Sequence, residues 1–184
     1  MNTIKKFIGM VLVAIMSLGM CFSTFAAPIA KTLSYDLDSY DLTTGFTETK
    51  KVIDQQGRVV EITNTFTPKV RTRGSSTEDA VEGTWESYMN YGVYGMSFTF
   101  DLAKNSGGGW TISNAGNLNL YAFVAQVENS SVTIERATSS ASSPARVVGK
   151  ATCTLFDVGW IQLYSGTITL EVKVSHDGKL TTIW

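Results

Sequence analysis

Polar and apolar positions alternate with a period of two along much of the chain. Met96, Phe98, Phe100 and Leu102 are interleaved with Ser97, Thr99 and Asp101, and Ile168, Leu170, Val172 and Val174 with Thr169, Glu171, Lys173 and Ser175. This is the pattern of strands with one buried face. From Gly83 onward it predicts about eight strands, near 83–91, 95–103, 109–113, 117–127, 131–138, 145–156, 158–174 and 179–184. Asn105–Gly109, Asn114–Gly116, Asn129-Ser130, the Ser-rich 138–144 and His176-Asp177-Gly178 are the expected turns, with Asp-Gly suited to a tight hairpin. The 158–174 run is long for one strand, and Ser165-Gly166 is the expected bend or break. Val147, Gly149, Ala151, Cys153 and Leu155 make one face of mostly small residues, suited to receive the indoles of Trp85 or Trp110, the alternative being to line a ligand cavity. No helical periodicity is sustained beyond the N-terminal apolar run.

Before this region, Thr47–Asp54 and Arg58–Phe66 flank Gln55-Gln56-Gly57 and predict a hairpin, with Val60, Ile62 and Phe66 on one face of its second arm. Tyr35–Asp38 reads as a short leading strand. An isolated hairpin is marginal in water, so this one is expected to dock on the later domain or on a partner chain. Residues 67–81 carry Pro68, Gly74, Ser75 and Ser76 with charges, and read as a linker.

At the N-terminus, Lys5 and Lys6 precede the uncharged apolar run Phe7–Phe22, and small residues follow. That order is a secretory signal peptide, and Thr24 and Ala26 occupy the small-residue positions for cleavage after Ala26. The alternative is a lipidated Cys21, although Met20 is a poor residue before it. The sequence organisation is therefore a signal peptide 1–26, a hairpin segment 27–66, a linker 67–81 and a β-domain 82–184. The expected location is secreted or cell-surface, with no stable membrane span after cleavage.

Removing 26 residues from 184 leaves 158, enough for one core. Losing Lys5 and Lys6 takes the formal charge from −1 to −3, which gives no electrostatic case for nucleic acid. Cys153 is then the only cysteine, so no intrachain disulfide forms; it reads as a buried thiol. His176 is the only histidine and lies in a predicted turn. One His and one Cys are too few for the usual zinc ligands, and no Gly-x-Ser-x-Gly motif accompanies the histidine. Asp36, Asp38 and Asp41 lack EF-hand spacing and read as solvated carboxylates. No catalytic residue, metal site or cofactor is expected.

Gly83-Thr84-Trp85 resembles the opening of a calycin barrel, the group of lipocalins and fatty-acid-binding proteins. The charged hairpin, linker and Gly-Thr-Trp-led domain together are similar to an uncharacterised family of small exported bacterial proteins. The resemblance implies an antiparallel calycin-like β-barrel of about eight strands with an N-terminal hairpin extension, the alternative being a β-sandwich. It implies no known activity. Glu82–Trp85 is also similar to lactococcin-like bacteriocins.

Aromatic rings remain as the candidate binding groups. Trp85, Tyr91, Tyr94, Trp160 and Tyr164 lie beside glycines or near strand ends, where large rigid rings offer contact area. The expected function is noncatalytic binding of a glycan, an apolar ligand or a protein at the cell envelope. A bacteriocin-like precursor and a carboxylate-dependent hydrolase are the alternatives.

Overall fold

A computed structural model describes residues 31–54, 57–69, 81–92, 94–122, 125–157 and 162–184, with backbone only at 125, 155–157 and 162–165. The expected signal peptide, most of the expected linker, Trp160 and the start of the expected 158–174 run lie outside the described residues. No helix among the described residues is long and apolar enough to cross a membrane.

The alternating pattern becomes ten strands: β1 Thr32–Asp36, β2 Phe46–Ile53, β3 Val59–Pro68, β4 Glu82–Asn90, β5 Tyr94–Lys104, β6 Trp110–Ala122, β7 Ala125–Arg136, β8 Ala145–Asp157, β9 Gln162–Val174 and β10 Lys179–Ile183. One 3-10 turn, Leu37–Ser39, follows β1. The strands form two five-stranded antiparallel sheets in the orders β2-β3-β4-β5-β6 and β1-β10-β9-β8-β7. The protein is all-β and sandwich-like, and the described ladders do not close into a barrel. Edge strand β6 does meet the end of β7: the Ile112 N–H donates to Ala137 O at 2.7 Å and the Ser139 N–H to Trp110 O at 2.8 Å.

The core lies between the sheets. β4 alternates cleanly, and β5 does so from Phe98 onward; together they send Trp85, Met89, Met96, Phe98, Phe100 and Leu102 inward, all fully buried. The small face of β8 receives them: a Cβ on Gly149 would fall 2.9 Å from Phe98 and 3.1 Å from Met96 Sδ. Gly149 thus accepts Phe98 and Met96, not an indole. Gly83 has a similar role beside Phe66, whose ring would lie 2.4 Å from an added Cβ. Cys153 is buried, and burial raises its thiol pKa.

Three sequence expectations change. The hairpin β2–β3 is no extension: β3 pairs with β4 in register from Glu61↔Asn90 to Pro68↔Gly83, and β1 pairs with β10 from Thr32↔Ile183 to Asp36↔Lys179. Lys31–Trp184 is one compact unit, because β3 and β1 take ladder partners, β4 and β10, from beyond residue 81. Asn114–Gly116 and Asn129-Ser130 do not end strands. Asn114, Asn117 and Asn129 take positive φ inside β6 and β7, where the registers slip, so the chain bulges and continues. Ser165-Gly166 does not break β9 either, since both pair with Thr154 and Cys153 of β8.

Candidate functional site

The β2–β3 and β4–β5 turns lie at one end of their sheet. Gly57 and Gly92 take the positive φ these turns need, at 77° and 82°. Antiparallel pairing also brings the end of β6 to this end, through Tyr94↔Ala122. The Lys31 ammonium donates to Ile53 O, so the start of β1 lies here too.

Tyr91 and Tyr94 face each other across the β4–β5 turn, stacked with centroids 4.7 Å apart and planes inclined by 24°. Their backbones close the turn, the Tyr91 N–H donating to Tyr94 O at 2.9 Å. Arg58 places its guanidinium 5.0 Å from the centre of the Tyr91 ring. Asp54 accepts from the Arg58 backbone N–H at 2.8 Å and from Nε at 2.7 Å, so the guanidinium is held in place. Burial works against the charge on Arg58, and Asp54 with the two tyrosines overcomes it, leaving its pKa raised. Burial raises the Tyr91 pKa, with Arg58 opposing.

On the outer side of the same end, the Tyr121 ring lies against Gly95, its cross-strand partner, where an added Cβ would stand 2.2 Å from the ring. The Tyr121 hydroxyl donates to Asn90 Oδ1, and burial and Tyr88 raise its pKa. Beside this cluster, Ile53 and Val59 face each other across the hairpin while 67% and 55% exposed. Isolated exposed aliphatics are ordinary; this pair stands at the same hairpin turn as Arg58.

Of the residues expected from the sequence, Tyr91 and Tyr94 are together here, half-buried. Trp85 is elsewhere: it is 0% exposed in the core, and its indole N–H donates to Asn64 Oδ1 at 3.2 Å and Ser87 Oγ at 3.1 Å. A ring without exposed surface offers no face to a ligand. Tyr164 pairs through its backbone with Leu155. His176 is exposed in the Ser175–Lys179 turn, and Asp38 forms an ion pair with Lys104 at 3.2 Å.

A second polar group was not visible in the sequence. Glu48, Asn64 and Ser87 form one inward-facing cross-strand row on β2, β3 and β4. Asn64 and Ser87 are fully buried, and Thr182 of β10 faces them, accepting weakly from Asn64 Nδ2 at 3.4 Å. At the β2 end of this row, where edge strands β1 and β2 meet, Glu48 pairs with Lys50 at 2.9 Å and accepts from the Tyr40 hydroxyl. Burial and Glu48 push the Tyr40 pKa up to about 12. The Lys50 ammonium covers the Tyr35 ring at 4.5 Å. On β2, Glu48 and Lys50 share the partly buried face of the alternating strand with Phe46 and Val52.

No group of three or more His, Cys, Asp or Glu side chains among the described residues converges to hold a metal. No family model and no curated protein matches the chain. Among solved structures, a hypothetical protein from Listeria monocytogenes EGD-e is 22% identical. The match covers 79% of this chain and 99% of that one, with a TM-score of 0.45.

Proposed function

We propose that this chain is an exported, noncatalytic binding protein whose aromatic end takes a flat-faced ligand, a glycan, at the cell envelope. The carrying observation is the Tyr91–Tyr94 stack with Arg58 fixed over it by Asp54. Rings held in this way lose little entropy on binding, and the exposed Ile53 and Val59 widen the apolar platform. Arg58 is already neutralised by Asp54, so recognition here relies on shape and apolar contact more than on charge. The signal-peptide pattern at 1–26, with cleavage after Ala26, supports the export. The strand order, a meander from β2 to β6 and from β7 through β10 to β1, supports kinship with calycin-like folds.

Calorimetric titration of the mature protein with soluble cell-wall disaccharide and tetrasaccharide fragments tests this reading. Binding should weaken severalfold in Tyr94→Ala, since a stacked ring contributes about 1 kcal/mol. It should change little between low and moderate salt. Steep loss with salt, or equal affinity in Tyr94→Ala, would overturn it.

A further inference from the structure

The outer face of the first sheet carries an uncharged row that crosses all five strands. Register sets Thr49 beside Thr63, Thr63 beside Tyr88, Tyr88 beside Ser97 and Ser97 beside Asn119. Four strand spacings make the row about 19 Å long. Each of its side chains ends in a hydroxyl or an amide, and Thr49 and Asn119 at its ends are exposed. The Thr49 and Thr63 hydroxyls bond to each other at 2.9 Å, and Asn119 Nδ2 donates to Asn117 O at 3.2 Å. Tyr88 in the middle is accompanied by the 38% exposed Tyr121, with centroids 6.4 Å apart and planes inclined by 34°. Asn90 joins this face to the β4–β5 turn, since its Oδ1 accepts from the Tyr121 hydroxyl and from the Gly92 N–H.

The chemistry of the face selects its partner. A protein partner would meet an apolar centre at a typical interface, and this row offers hydroxyls and amides instead. A nucleic acid would need free cations. Lys51 is paired with Glu61 at 3.4 Å, Lys69 with both Glu82 and Asp101 at 2.9 Å, and Glu86 stands exposed in the neighbouring row. A neutral glycan chain presents hydroxyls that both donate and accept, together with flat sugar faces. Threonine, serine and asparagine match the first, and the two tyrosine rings match the second. The row is also longer than one sugar ring.

We propose that the row from Thr49 to Asn119 binds a neutral polysaccharide chain laid across the strands, with Tyr88 and Tyr121 against its sugar faces. This inference rests on the glycan reading of the aromatic end and makes the ligand a polymer. Tyr91 and Tyr94 hold one part of the chain, and the outer row holds its continuation.

Calorimetric titration of the mature protein with chitobiose and chitohexaose, uncharged oligomers of two and six N-acetylglucosamine units, is the test. Chitohexaose should bind about tenfold more tightly than chitobiose. Tyr88→Ala should cut that ratio to about threefold or less, and so should Thr49→Ala combined with Asn119→Ala, while chitobiose binding stays as it was. The combined variant changes only exposed residues, so its melting temperature should hold even if Tyr88→Ala unfolds. Tyr94→Ala should weaken both sugars by the same factor and preserve the ratio. A ratio unchanged in the row variants would mean that the longer chain gains only from extra registers on the aromatic end, and would overturn this inference alone. Unaltered binding of both sugars in Tyr94→Ala would overturn the reading of the aromatic end. Absence of binding by either sugar would overturn both.

Discussion

Ser87 and Asn64 face each other in register across β4 and β3, and the Ser87 hydroxyl donates to Asn64 Oδ1 at 2.6 Å with neither residue exposed. The Trp85 indole shares the same acceptor. One amide oxygen therefore satisfies two buried donors between the sheets.

Removing that amide should be costly. Asn64→Ala leaves the Trp85 and Ser87 donors to share only each other and opens a small void, so it should destabilise the protein by about 2–4 kcal/mol. Ser87→Ala removes one donor and keeps the Trp85–Asn64 bond, and should cost about 1–2 kcal/mol. Urea denaturation measures both. A loss below about 0.5 kcal/mol for Asn64→Ala would contradict the network.

Gly149 fits beneath Phe98 because it lacks a side chain. An alanine Cβ there would stand 2.9 Å from the Phe98 ring, forcing one sheet to shift against the other. Gly149→Ala should cost about 1–3 kcal/mol by overpacking, although alanine is otherwise the better residue in an ordered segment. Gly57→Ala should be milder in packing, since nothing lies within 4 Å of its Cβ direction, and its cost should come from its φ of 77°.

Acid should weaken the outer face of the second sheet. Burial alone would raise the Glu171 pKa, yet hydrogen bonds from Arg146 and Lys173 hold it below the ordinary 4.5. A carboxylate with a depressed folded pKa stabilises the fold above its unfolded pKa. That contribution disappears as pH falls through the folded value. Melting temperature should therefore decline as the solution is acidified below about pH 4.5. Glu171→Gln should be less stable at neutral pH and show a flatter acid limb. Asp101, lowered by Asn114, Lys69 and Thr84 against its burial, adds to the same limb in the wild type and remains in the variant.

Cutting the chain in 67–81 should not release a free-standing β-domain. Trypsin at Arg71 or Arg73 separates β3 from β4 in sequence but leaves the Glu61–Pro68 ladder and the β1–β10 pairing in place. The two fragments should co-elute in size-exclusion chromatography under native conditions and separate in urea. A stable, soluble fragment 74–184 by itself would show that the hairpin is dispensable.

Local chemistry was legible in the chain. Period-two alternation located the buried faces of β5 and β9, because side-chain direction along a strand is fixed by backbone geometry alone. Gly57 and Gly178 marked their turns, since positive φ is a property of the residue at that position. Tyr91 and Tyr94 were found because only a tight turn separates them. Tertiary structure decided what depends on partners far away. Asn129-Ser130 looked like a turn until the pairing of β7 with β8 held the chain straight through a bulge. Residues before 67 looked like an appendage because the partners of β1 and β3 lie beyond residue 81. Trp85 looked like a possible contact ring, and the second sheet covers it. Glu48, Asn64 and Ser87 are unremarkable in three separate segments; register aligns them, and Tyr35 and Thr182 reach them from strands at opposite ends of the chain. Asn64 and Thr182 are 118 residues apart, a separation at which local pattern carries no information and only the closing of one sheet over the other sets the contact.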